Sequence, residues 1–135
     1  MANRKRVRRS LPRGTGGGDL VDQITRLEIQ LEEGLEPAQA AEVKQEVARL
    51  RVRRMELLDG SDDLSMLAAQ LKAINQTLRY IEDELRHRDR HHEFGQHFVE
   101  LARALYLNQE QRAALIRRID RLRRRPVPLL SSRSR

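Results

Sequence analysis

Polar side chains along the predicted helices fall into three groups that could bind a ligand or a metal. The residues of the first group border aliphatic helical faces: Asp22, Glu28, Glu82, Asp83, Arg86, Arg103, Tyr106, Gln109 and Arg112. Carboxylates in such positions take arginine partners, because an unpaired charge removed from water is costly. Two interpretations stay open: an ion-pair network that fixes helix register, which we favour, or a cleft for a polar or anionic ligand.

The second group is a set of histidines near one predicted interhelical turn: His87, His91, His92 and His97, with Asp89 and Glu93 nearby. His87 and His91 are four residues apart, which on a helix places two imidazoles on one face at metal-ligand spacing. Histidine near the end of a helix is also favoured by the helix dipole alone. We therefore predict neither a metal site nor a cofactor.

The third group is basic and lies near the two ends of the chain: Arg4, Lys5, Arg6, Arg8, Arg9, Arg117, Arg118, Arg121, Arg123, Arg124 and Arg125. Residues 1–13 carry six Lys or Arg and no acid, and residues 112–135 carry nine Arg and one acid. Because the whole chain has a net charge of +7, the segment between them is acidic. Such ends could bind phosphates nonspecifically, but with 3% aromatic residues no platform for base stacking is expected.

Catalysis has little support in the sequence, and we assign no catalytic residue. The chain contains no cysteine, and it shows neither a phosphate-binding loop nor a nucleophile paired with a base. Helical enzymes can act through electrostatics alone, so a pocket formed by Glu28, Glu82, Arg103 and Arg112 remains a minor hypothesis.

One aliphatic stripe determines the expected fold. Its residues recur at alternating spacings of three and four: Leu64, Leu67, Leu71, Ile74, Leu78, Ile81 and Leu85. This heptad pattern predicts a helix that buries the stripe against other helices. A fourth helix continues it with Phe98, Leu101, Leu105, Leu115, Ile119 and Leu122, interrupted by Asn108 and Arg112. A polar interruption of this kind sets register or partner choice, which favours self-association or a helical protein partner.

Two further helices precede the stripe. The first is expected from about Leu20 to Glu33, with Asp19 as N-cap and Gly34 as its end. Its apolar residues are predicted on one face: Leu20, Ile24, Leu27 and Leu31. The second is expected from Pro37 to about Leu58. Its inner face is predicted to contain Ala40, Val43, Val47, Leu50 and Leu57, broadened by Val52, Met55 and Leu58. Gly60 would end it, and Ser61 would cap the third helix.

The sequence thus predicts an all-α protein of four helices in antiparallel hairpins. We divide it into a basic flexible arm (1–18), a helical bundle (19–125) and a basic flexible tail (126–135), since the ends are too polar to offset the entropy of ordering. No apolar run approaches the roughly 20 residues that cross a bilayer. The basic N-terminus lacks the apolar region of a secretory signal. We expect a cytoplasmic protein without a membrane span.

Three segments resemble an uncharacterised family of small all-helical bacterial proteins. They are GDLVDQITRLEIQ (18–30), NQTLRYIEDELR (75–86) and FGQHFVELARALYLNQEQRAALIRRID (94–120). The family motifs are similar to GELIDKITILEIK, IED.IR and FVELAR.VY, in the same order. The resemblance implies no activity; it implies a link to the assembly of bacterial surface polysaccharides.

The chain departs from that family pattern at several positions. Gln23 and Gln30 stand where the pattern has Lys, Gln109–Glu110 replaces Asn-Asp, and Ile116 replaces Lys. The Arg-rich end replaces an acidic and aromatic tail. We therefore expect a non-enzymatic helical interaction or accessory protein. Nonspecific binding of RNA or DNA, and binding of an anionic ligand by a small helical enzyme or binder, are the alternatives.

Overall fold

The computed structural model describes residues 16–124, which form four α-helices joined by short loops. Helix α1 spans Gly17–Glu33, α2 Pro37–Leu57, α3 Asp62–Arg90 and α4 Gln96–Asp120. Within this range the β-structure is limited to one isolated antiparallel bridge between Leu58 and Arg123. The predicted all-α fold of two hairpins is confirmed. The expected tail (126–135) and residues 1–15 of the expected arm (1–18) lie outside the described residues, whereas Gly17 and Gly18 of that arm belong to α1.

Helix α1 is the centre of the fold because it packs against each of the other three helices. One apolar cluster joins it to α2 and contains Leu20, Ile24, Leu27, Val43, Val47 and Leu50. The other joins it to the α3–α4 hairpin and contains Val21, Leu58, Leu64, Leu67, Leu71, Leu115 and Ile119. The prediction of a single apolar face on α1 was therefore incomplete: a second face, directed at the hairpin, is buried as well.

The start of α1 differs from the prediction. The helix begins at Gly17 with Gly16 as its N-cap, so Asp19 lies in the first turn and is not the capping residue. The carboxylate of Asp120 takes that role, because its Oδ1 accepts a hydrogen bond of 2.7 Å from the Gly18 N–H. No local sequence signal predicts this cap, because Asp120 lies about 100 residues away, at the end of α4.

The aliphatic stripe of α3 is buried at Leu64, Leu67, Leu71, Leu78 and Ile81, while Ile74 and Leu85 are half-buried. On α2 the prediction was wrong for two residues. Val52 is 57% exposed and Met55 is 67% exposed, because α2 packs mainly against α1 and a single narrow face suffices for that contact.

The predicted helix ends are largely confirmed. Gly34 has a φ of 100°, a backbone conformation that glycine adopts at no steric cost, and Pro37 begins α2. The side chain of Ser61 caps α3 by accepting a hydrogen bond of 3.2 Å from the Leu64 N–H. None of the helices between residues 16 and 124 has both the length and the apolar character needed to cross a membrane.

Candidate functional site

The centre of the candidate site is Asp22, a carboxylate that is only 2% exposed. It lies on the second buried face of α1, between Val21 of the hairpin cluster and Thr25 one turn later. A charge in this position requires partners, because an isolated ion in a protein interior is strongly destabilising. The partners come from α1, α3 and α4.

Arg112 of α4 binds Asp22 through two hydrogen bonds. Its Nε donates to Oδ1 at 3.0 Å, and its Nη2 donates to Oδ2 at 2.6 Å. Arg26, one turn along α1, places its Nε 3.3 Å from the same Oδ2. The two-point geometry fixes the guanidinium plane of Arg112 and therefore the register of α4 against α1.

The contacts of Asp22 decide its ionisation. Burial acts to raise the pKa of the carboxyl group, but the hydrogen bonds from Arg112 and Asn75 and the charge of Arg26 outweigh it. The pKa of Asp22 is therefore lowered below its ordinary value of 3.8, and the residue is a carboxylate at neutral pH. The hydrogen bond to Asp22 likewise raises the pKa of Arg112.

Asn75 completes the buried network from α3. Its Nδ2 donates to Asp22 Oδ1 at 2.9 Å and to Thr25 Oγ1 at 2.8 Å, and the Thr25 hydroxyl in turn donates to the Asp22 carbonyl at 2.8 Å. Sequence reasoning missed Asn75 and Thr25 as site residues. The one signal was that Asn75 immediately follows a stripe residue, Ile74, and so borders the apolar stripe of α3.

A cleft of about 320 Å³ opens beside this network, between α1, α3 and α4. Its lining is mostly polar and consists of Gln23, Arg26, Leu27, Ile29, Gln30, Asn75, Leu78, Arg79, Glu82, Gln109 and Arg112. Of the residues predicted for a ligand site or register network, Glu82, Gln109 and Arg112 therefore meet at the cleft, and Asp22 lies directly behind it.

The third arginine of the cleft, Arg79 of α3, is also held by a carboxylate. Its Nε lies 2.6 Å from Glu33 Oε1 near the end of α1. Glu82 differs from the other carboxylates here, since it forms no ion pair with any residue between 16 and 124. It contributes to the field that raises the pKa of Arg112, after the larger effect of the hydrogen bond to Asp22.

Several predicted site residues lie away from the cleft. Glu28 pairs with Arg51 at 2.6 Å and with Lys72 at 3.6 Å, and it does not line the cavity. Asp83 and Arg86 pair with each other on the exposed surface of α3. The four-residue pocket of the enzyme hypothesis is therefore not assembled, because only Glu82 and Arg112 of its members line the cleft.

Arg103 and Tyr106 are exposed on α4 and do not line the cleft. Tyr106 is 61% exposed, and a hydrogen bond to Glu110 raises the pKa of its hydroxyl. Neither residue contributes to the buried network.

The histidines lie at the exposed turn between α3 and α4. The ring centroids of His87 and His91 are 4.3 Å apart, and His91 Nδ1 lies 2.8 Å from the His87 carbonyl oxygen. Among the described residues, no three His, Cys, Asp or Glu side chains form a group that could hold a metal ion.

The basic residues that the structure describes lie at the end of α4 and just after it. Arg117, Arg118, Arg121 and Arg123 are exposed, and Arg124 contacts the α2–α3 loop. The remaining predicted basic residues lie outside residues 16–124: Arg4, Lys5, Arg6, Arg8, Arg9 and Arg125.

Comparison with known proteins returned no family model, no curated protein and no solved structure that matches this chain. The resemblance to a family of small bacterial helical proteins therefore stays a prediction.

Proposed function

We propose that the protein is a non-enzymatic interaction protein that binds a small polar molecule with an acidic group in the cleft between α1, α3 and α4. One observation carries the proposal: three guanidinium groups line the cleft, and each is held through its Nε by a carboxylate of the protein. These are Arg26 and Arg112, which share Asp22, and Arg79, which binds Glu33.

These ion pairs hold the guanidinium groups in position but leave some of their N–H donors without a partner carboxylate. A guanidinium group has five N–H donors in a fixed plane. Arg112 uses two of them on Asp22, and Arg79 contacts Glu33 through its Nε. Nη donors that remain on each side chain are available to an acidic group, and their fixed positions reduce the entropy that binding would cost.

Glu82 narrows the class of ligand. A carboxylate without an ion-pair partner among residues 16–124 favours a ligand that brings its own donor, such as a hydroxyl or ammonium group. The amides of Gln23, Gln30 and Gln109 can each donate and accept. A small hydroxy acid or amino acid meets both requirements. The cavity of about 320 Å³ is at the lower end of the range for small-molecule sites.

The test is a titration of the isotopically labelled full chain, followed by amide and side-chain resonances, with D-glucuronate, L-glutamate and acetate as probes at constant ionic strength. We expect shifts at Gln109 and Asn75 with glucuronate or glutamate and weaker ones with acetate. Arg26→Gln should weaken binding by about tenfold, or ~1.4 kcal/mol. The control Arg103→Gln removes an exposed arginine outside the cleft and should leave affinity unchanged. Equal losses in both variants would refute the site.

Self-association through the α3–α4 hairpin is a second proposal. Large apolar side chains remain exposed on or near α4: Phe94 at 52%, Val99 at 52% and Leu107 at 49%. A helical partner or a second copy could cover them. Light scattering should then give a dimer or larger assembly, and a monomer at micromolar concentration would contradict it. The cytoplasmic location, supported by the lack of cysteine, and the link to surface-polysaccharide assembly remain predictions.

A further inference from the structure

The cleft between α1, α3 and α4 carries charges of both signs at different places. Arg26 and Arg112 are held by Asp22, which is also a partner of Asn75 on α3. Glu82 lines the same cleft two helical turns further along α3 than Asn75, about 10 Å at the helical rise per residue. The cleft therefore has hydrogen-bond donors with positive charge near Asn75 and a carboxylate beyond them.

The charges around the cleft do not favour a ligand with a net negative charge. The pKa of Arg112 is raised mainly by its hydrogen bond to Asp22, and the charges of Asp19 and Glu82 raise it further, so both acids lie close enough to act on the cleft. The acids next to it, Glu32 and Asp83, have their own cationic partners. Three guanidinium groups thus face four carboxylates. They are Arg26, Arg79 and Arg112 against Asp19, Asp22, Glu33 and Glu82.

We propose that the ligand of the cleft is a zwitterionic α-amino acid with an uncharged side chain, and that Glu82 determines the preference for it over the matching hydroxy acid. The inference rests on the proposed function, which requires only an acidic group and a donor. The ligand carboxylate accepts from Nη donors of Arg112 and Arg26, and the ligand ammonium group donates to Glu82.

Glu82 has the properties that this role requires. It is exposed at the cleft, and it forms no ion pair with any residue between 16 and 124. Gln109 lies one turn before Arg112 on α4, which runs antiparallel to α3, and also lines the cleft. An ammonium group has three donors, so it can bind the Glu82 carboxylate and the amide oxygen of Gln109 together.

The difference between an amino acid and a hydroxy acid follows from the charge of this donor. A hydroxyl group can also donate to Glu82, but it is neutral, and hydrogen bonds between two charged groups are about twice as strong as neutral ones. A hydroxy acid would also add a net negative charge to a cleft in which carboxylates already outnumber guanidinium groups. The ammonium group of an amino acid removes both disadvantages.

Three ligands with the same three-carbon skeleton separate the two charged groups. L-Serine carries both, L-glycerate carries only the carboxylate, and L-serinamide carries only the ammonium group. Each is titrated at constant ionic strength and about pH 6, where the amino groups are protonated, into the isotopically labelled full chain. The dissociation constants come from the resonances of Gln109 and Asn75. The variant is Glu82→Gln, and Glu84→Gln makes the same change on α3 outside the cleft.

The native chain should bind L-serine at least about tenfold more tightly than L-glycerate, because of the charged hydrogen bond to Glu82. Glu82→Gln should reduce this preference to less than about twofold, mainly by weakening the binding of L-serine, and Glu84→Gln should retain it. L-Serinamide should bind more weakly than L-serine to the native chain, since it lacks the group that the arginines bind.

The outcomes distinguish this inference from the proposed function on which it rests. Equal affinities for L-serine and L-glycerate, or an unchanged preference in Glu82→Gln, would overturn the inference and leave the cleft as a site for acids in general. Binding of L-serinamide as tightly as L-serine would overturn both, because the acidic group would then be unnecessary. If none of the three ligands shifted the cleft resonances, the inference would fail. The proposed function would fail with it if D-glucuronate and L-glutamate also caused no shift.

Discussion

Arg112 and Asp22, 90 residues apart in the sequence, form a two-point hydrogen-bonded ion pair with N–O distances of 3.0 and 2.6 Å. The carboxylate is almost completely buried, while the arginine side chain is 30% exposed and also lines the cleft. The pair therefore has two roles: it fixes α4 against α1, and it fixes a guanidinium group at the cleft.

Replacing Arg112 by Ala should destabilise the protein strongly. The substitution leaves the Asp22 carboxylate buried with only Arg26 and Asn75 as partners. Loss of one member of a buried pair costs about 3–5 kcal/mol, and the partial exposure of Arg112 places the expected loss near the lower limit. Urea denaturation monitored by circular dichroism measures it. The control Arg103→Ala, at an exposed position, should change stability by less than about 0.5 kcal/mol.

The same pair predicts a pH dependence of stability. Burial opposes ionisation of Asp22, but its hydrogen bonds prevail and lower its pKa in the folded state below 3.8. A group with a depressed folded pKa contributes stability that is complete above its unfolded pKa, about 3.9, and is lost as the pH falls through the folded value. The wild type should therefore lose stability in acid more steeply than Asp22→Asn does. Parallel urea midpoints for the two proteins from neutral pH to about pH 3 would contradict this linkage.

The spacing of aliphatic residues was sufficient to predict the helices and their antiparallel order. The spacing of Leu64, Leu67 and Leu71 places all three on one face of a helix, where they are buried. Gly34 and Ser61 are local signals for the ends of helices. Such features depend on residues within a few turns of one another, which is why a single sequence reveals them.

The pairing within the site could not be predicted in the same way. Asp22 and Arg112 were both candidates, but a contact across 90 residues depends on how α4 docks on α1. Thr25 was missed because it lies on the second buried face of α1, and a polar residue there is expected to be exposed when only one face is assumed to be buried. Asn75 of α3 was missed for the same reason, since it packs against that second face. On α2 the error was the reverse, because the predicted inner face was too broad: Met55 was placed in it but is 67% exposed, since α2 packs mainly against α1.

Asn75→Asp should lower the stability of the folded protein more than the small change in side-chain size suggests. It places a second carboxylate within hydrogen-bond distance of Asp22 and removes a donor to both Asp22 and Thr25. We expect a loss of at least about 2 kcal/mol at neutral pH, smaller at acidic pH where one carboxyl is protonated. Gln70→Glu makes the same amide-to-acid change at an exposed position of α3 and should be close to neutral. Equal urea midpoints for the two variants would contradict the buried network.

Gly18→Ala tests the contact between the start of α1 and the end of α4. A Cβ at Gly18 would overlap the Ile116 carbonyl oxygen and lie 2.7 Å from Ile116 Cγ2, so one of the two helices has to move. The Ile116 carbonyl oxygen belongs to the backbone and cannot relieve the overlap by a change of rotamer, as a flexible side chain could. The displacement would also disturb the hydrogen bond from the Gly18 N–H to Asp120. We expect a loss of about 1–3 kcal/mol.

Gly60 supplies the matched control for this substitution, because a Cβ built there has no heavy atom within 4 Å and the residue has no positive φ. Gly60→Ala should be neutral or should stabilise the protein by up to about 1 kcal/mol, since alanine restricts the unfolded chain. Thermal unfolding distinguishes the two variants, as 1 kcal/mol shifts the Tm of a domain of this size by about 4 °C. An increase in Tm for Gly18→Ala, like that expected for Gly60→Ala, would contradict the close contact between α1 and α4. It would also contradict the cap that Asp120 provides for α1, because that hydrogen bond requires the same contact.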